Sequence, residues 1–143
     1  MSTIPAVLVQ LSSTTWAGIA GLQVEDGPTS RDLRGDALLV GFTPDEVPLS
    51  AVEQIADLGN GAAESYTVAS VVRCWSGGDT FTTIRARAYA HLAAMRTRLR
   101  DDPTLGGVVT RARFSGHVFQ QYRNDSGQLV VDLVVQVAVD SLR

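Results

Sequence analysis

Residues 79–100, DTFTTIRARAYAHLAAMRTRLR, decide the fold. Phe81, Ile84, Ala88, Leu92, Met95 and Leu99 recur at spacings of three and four, which sets them on one face of an α-helix. At a rise of ~1.5 Å per residue such a helix is roughly 30 Å long, the span of a small domain. Its apolar stripe must be covered, and most of the remaining chain reads as strands, so the expectation is one long helix lying on a sheet. The opposite face carries Arg85, Arg87, Arg96, Arg98 and Arg100, five of the twelve basic residues.

Upstream, Ser2 or Thr3 can cap a first helix that carries Pro5 in its first turn and lines Val7, Leu8, Leu11 and Trp16 along one side. Ser12-Ser13-Thr14-Thr15 lowers helix propensity, so this helix is expected to end early or fray, with Gly18 and Gly21 beyond it. Leu22-Gln23-Val24 alternates like a short strand, and Asp26-Gly27-Pro28-Thr29-Ser30 is a run of turn residues. ALLVGF at residues 37–42 is a continuous apolar run of strand length, consistent with a central strand. Residues 43–63 admit two readings. One is a short helix over residues 50–58, with Ser50 and Glu53 as a capping box; the other is a long loop broken by Pro44 and Pro48.

From Glu64 the alternation is regular: Tyr66, Val68, Ser70, Val72 and Cys74 face one way, and Ser65, Thr67, Ala69, Val71 and Arg73 the other. Cys74 falls on the more apolar side and reads as a small core residue. Ser76-Gly77-Gly78 turns the chain, and Asp79 or Thr80 caps the long helix. Asp101-Asp102-Pro103 stops that helix, and Leu105-Gly106-Gly107 redirects the chain into a strand over residues 108–115. Gly116 suggests a bulge, residues 118–122 continue the strand, and Asn124-Asp125-Ser126-Gly127 is a hairpin turn. In the last strand, residues 128–140, Leu129, Val131, Leu133, Val135, Val137 and Val139 share the face expected to receive the long helix. The other face, including Asp132 and Asp140, reads as partly wet. The fold class is therefore α+β, a mixed and mainly antiparallel twisted sheet of about four to six strands. One long helix over about residues 80–100 and a shorter N-terminal helix pack on one face, in a single domain over residues 1–143.

At 143 residues, 45% hydrophobic and 19% charged, the chain suits one globular core. One cysteine excludes an internal disulfide, and with only His91 and His117 a structural zinc is not expected. No run reaches membrane-spanning length, so no membrane insertion is expected. Residues 1–72 hold nine acids against Arg31 and Arg34, net −7, whereas residues 73–143 hold ten arginines against six aspartates, net +4. Such polarity fits internal pairing and solvation, or a head-to-tail meeting of identical subunits. Phosphate-loop, nucleophile-elbow, zinc-protease and paired-cysteine motifs are all missing, so neither a cofactor nor catalysis is expected. His91 reads as a satisfied structural histidine at the border of the stripe. The arginine face of an acidic protein ranks lower as a nucleic-acid site than as a solvated or protein-facing surface.

The order of elements, with Asp26-Gly27-Pro28, Cys74-Trp75-Ser76-Gly77-Gly78-Asp79 and Asp102-Pro103-Thr104-Leu105-Gly106-Gly107, resembles the tail terminator proteins of long-tailed bacteriophages across essentially the whole chain. Head-tail joining and minor tail proteins share this size and architecture. The resemblance implies a small α/β subunit forming a ring, usually a hexamer, on the finished tail tube, where it stops polymerisation and offers a surface for head joining. It implies no catalytic residues. The implied partners are further copies of the chain, the major tail tube protein and the head-tail connector protein, with DNA passing through the ring without sequence-specific binding. The implied location is the virion tail, assembled in the host cytoplasm. Arg85, Arg87, Arg96, Arg111 and Arg113, with Asp45 and Glu46 from the acidic half, are the candidate subunit or partner contacts. A small enzyme or ligand-binding domain is the alternative from another class.

Overall fold

The computed structural model describes residues 2–27, 33, 35–44, 54–58 and 61–142, with residues 54–58, 61 and 62 described by backbone alone. Among the described residues, six strands form one mixed sheet in the order β1-β2-β4-β6-β5, with β3 beside β2 on the flank of β4. Strand β1 (Gln23–Asp26) runs parallel to β2 (Ala37–Val40), and every other pairing is antiparallel. The long strands β4 (Gly61–Ser76) and β6 (Leu129–Leu142) form the centre, and β5 (Arg111–Arg123) is an edge. Helix α2 (Phe81–Asp101) crosses one face, with Thr80 as N-cap accepting a hydrogen bond from the Thr83 N–H. The expected α+β class and the helix-on-sheet arrangement are both present.

The main core lies between α2 and the sheet. Ile84, Ala88, Leu92, Met95 and Leu99 meet Tyr66, Val68, Val72 and Cys74 of β4 and Val131, Leu133, Val135, Val137 and Val139 of β6. These are the faces that the two periodicities select. Helix α1 (Ile4–Gln10) and the residues that follow it close the same layer with Val7, Leu11 and Trp16, and the Trp16 indole donates to Met95 O at 3.3 Å.

Four expectations change, the first in part. The α-helix ends early, at Gln10, but residues 11–15 do not fray; they widen into a π-helical turn. The Ser12 and Ser13 hydroxyls donate back to Leu8 O and Val9 O at 2.9 and 2.6 Å, which diverts carbonyls from the α ladder. The two readings of residues 43–63 both give way over 54–58 and 61–63, because β3 (Gln54–Leu58) pairs with residues 61–65 of β4. Gly59-Asn60-Gly61 has the composition that joins hairpin strands, and Leu58 pairs directly with Gly61. The capping box of Ser50 and Glu53, with Asp45 and Glu46, lies outside the described residues.

The strand expected from residue 108 begins at Arg111. Gly106 and Gly107 both take positive φ, and hydrogen bonds to Leu105 O and Thr104 O wrap residues 108 and 109 into the turn. Finally, the second face of the sheet is less wet than expected. Leu39, Ala69, Val71 and Val134 form a smaller core there, with Leu33 and Phe42 packed against it. Asp132 is fully buried beside it, held by Arg73 in a two-pronged pair at 2.8 and 3.0 Å and by the Tyr122 hydroxyl at 3.0 Å. A buried carboxylate is tolerable only when its lone pairs are met in this way.

Candidate interaction surface

The arginines of α2 have different fates along the helix. Near its start, Arg87 places Nε 3.1 Å from Asp36 Oδ2 and Nη2 3.0 Å from Asp36 Oδ1, and also reaches Trp75 O at 3.1 Å and Asp79 at 3.4 Å. His91 Nε2 lies 2.9 Å from Asp36 Oδ2. Burial pushes the Asp36 carboxyl up, but the hydrogen bonds and charges of Arg87 and His91 outweigh it and hold its pKa below the usual value. Arg98 is also used internally, donating to Thr15 O and Ala17 O at 3.3 and 2.8 Å where the π-helical turn ends. Asp36 was not singled out in the sequence, and no local pattern marks it: its partners are far along the chain.

Asp36, Cys74 and His91 bring one ligand-type atom each to within 4.8 Å of one another. A metal there would compete with Arg87 for both oxygens of Asp36. The Cys74 thiol is fully buried, and burial, then the Asp36 charge, pushes its pKa up, so neither a thiolate ligand nor a nucleophile is ready at neutral pH. The arrangement does structural work, tying the approach to β2 to the helix.

The arginines on either side of Arg98 behave differently. Arg96 and Arg100 are exposed, as is Arg111 on β5, and none of the three makes an ion pair among the described residues. Together with Leu99, Pro103, Ala112, Arg113 and Phe114 they line a cleft of about 390 Å³. Arg113 makes only a 3.6 Å pair with Asp140, both side chains half exposed. Arg85 stands apart, donating to Gln121 at 2.9 Å. Arg96, Arg111 and Arg113 are thus brought to one cleft, and Arg85 and Arg87 are not.

The cleft opens along the edge of β5. Ala112 N–H donates to Pro103 O at 2.7 Å, and beyond it no described backbone group pairs with the outer side of β5. The bulge anticipated at Gly116 falls between Phe114 and Gly116. After it His117 and Phe119 stand on the α2 face, where Tyr89 meets the His117 ring edge-on at 5.6 Å and stacks on Phe119 at 6.3 Å. Tyr89, Val118, Phe119 and Tyr122 are all about 40% exposed. A depression of about 520 Å³, lined by Pro44, Arg73, Gln120, Gln121 and Tyr122, borders the same strand on the other face. Open backbone, exposed aromatics and guanidinium groups that make no ion pair among the described residues together suit a protein contact more than a small-molecule pocket.

No family model matches the chain, and no curated protein matches it. Among solved structures, a chain in one described as "Virion of native gene transfer agent (GTA) particle" is 21% identical, with the match covering 95% of this chain and 86% of that one and a TM-score of 0.35. A superposition this loose establishes neither a shared fold nor a role for any residue.

Proposed function

We propose that this chain is a non-catalytic virion protein of a tailed phage or phage-like particle, acting as a tail terminator that self-associates into a ring and caps the tail tube. The sequence resemblance supplies the role. The observation that carries self-association is the open edge of β5 over residues 114–123, flanked by exposed aromatics and by arginines that make no ion pair among the described residues. A long edge of this kind is a template for pairing with another chain unless it is covered. On this reading Arg96, Arg111 and Arg113 belong to the working surface, and the surplus carboxylates of the acidic half, Asp45 and Glu46 among them, supply complementary charge. Arg87 serves mainly to hold its own subunit together. The tube protein and the connector are the partners, and DNA passes through the ring unread.

The test is to mix the purified chain with growing tail tubes and to follow tube length and end structure by electron microscopy. A ring at one end and arrested growth are expected. Tubes that elongate unchanged, or a chain that pulls down connector but not tube subunits, would contradict the terminator role.

A further inference from the structure

Resting on the self-association just proposed, we infer that copies of the chain join edge to edge, with β5 of one copy pairing antiparallel with β1 of the next. Topology sets the direction. Along the sheet, β1 and β2 run one way, β4 the other, β6 back again and β5 opposite to β6, so the two outer strands β1 and β5 are antiparallel. A second copy set beside the first with its sheet in the same sense therefore meets it through an antiparallel joint, and the α2 faces stay flush. The contact is heterologous, the kind that closes rings.

Among the described residues the backbone of β1 is open for this. Gln23 and Gly27 donate inward to Asp36 O and Val40 O at 3.0 and 2.8 Å, so alternation turns the N–H and C=O groups of Val24 and Asp26 outward. Among the described residues no backbone group bonds to them. The side chains also match. Val24 packs into the main core, which places Val24 and the exposed Asp26 on the α2 face. The same face of the β5 edge carries exposed Phe119 and lies under Arg96 and Arg100. A carboxylate thus arrives beneath guanidinium groups that lack ion pairs among the described residues. The symmetric alternative, β5 on β5 about its centre, sets Arg111 against Arg123, a like-charge pairing that disfavours it.

A charge exchange tests the joint. Asp26→Arg and Arg96→Glu are made separately, folding is checked by circular dichroism, and association is read by sedimentation and native mass spectrometry alone and in equimolar mixture. Each variant alone is expected to associate at least about tenfold more weakly than wild type, because its joint opposes like charges. The mixture is expected to recover, because the exchanged joint and the unaltered joint both pair opposite charges. Wild-type behaviour of Asp26→Arg alone, or a mixture no better than its components, would overturn the joint. A wild-type chain that stays monomeric both free and on tail tubes would instead overturn the self-association on which the joint rests. Should either variant fail to fold, Asp26→Asn and Arg96→Gln replace them, with weakening of both expected and wild-type association of both contradicting the joint.

Discussion

Arg87 and Arg96 lie on the same helix, in the same solvent-facing pattern, and differ in what the rest of the chain brings to them. Arg87 meets a carboxylate held at the start of β2, a backbone carbonyl and a second aspartate, and its charge is spent within the subunit. Arg96 meets the open border of β5 and makes no ion pair among the described residues. The lesson is that an arginine stripe is not one feature: Arg87 and Arg98 are spent inside the subunit, whereas Arg96 and Arg100 are surface.

The clamp of Arg87 on Asp36 predicts the largest effect. Replacing Asp36 by Asn removes the negative charge facing Arg87 and leaves one acceptor oxygen where Arg87 and His91 now share two, and is expected to cost about 3 kcal/mol in urea denaturation at pH 7. The pH dependence has a definite sign. Because the folded pKa of Asp36 lies below its unfolded value of about 3.9, its stabilisation is complete above that value and fades as pH falls through the folded pKa. Wild type and Asp36→Asn should therefore converge in stability under acid below about pH 4, and a constant gap down to pH 2 would contradict the clamp.

A smaller effect is expected for Arg98→Ala. It frees the carbonyls of Thr15 and Ala17, and the loss should be about 1 to 2 kcal/mol by the same denaturation assay. Both carbonyls sit beside Trp16, so the loss should come with faster amide exchange in the π-helical turn. Wild-type stability in this variant would show that the turn is held by Trp16 packing alone.

How much of this was legible in the sequence follows from what kind of signal each feature leaves. The stripe of α2, the alternation of β4 and β6 and the hairpin at residues 124–127 are local periodicities or turn compositions, and each is present. Strand β3 was obscured because the prolines and the Ser50/Glu53 pair upstream suggested a helix start, while pairing to β4 decides the matter. Asp132 looked like a wet position in an alternating strand, since Arg73, its partner, comes from the neighbouring strand. The division of the arginines was the least visible. It depends on where Asp36 lands, and nothing within a helical turn of Arg87 or Arg96 records that.

The most direct measurement sets stability against assembly for the two kinds of arginine on the helix. Urea denaturation and sedimentation are run on Asp36→Asn and Arg96→Glu beside wild type. Arg96→Glu is expected to stay within about 0.5 kcal/mol of wild type in stability while its association falls at least about tenfold. Asp36→Asn is expected to lose stability yet associate as wild type does while it remains folded. If Arg96→Glu associates normally, or if Asp36→Asn loses association without losing stability, the division of α2 into clamp and contact surface is wrong.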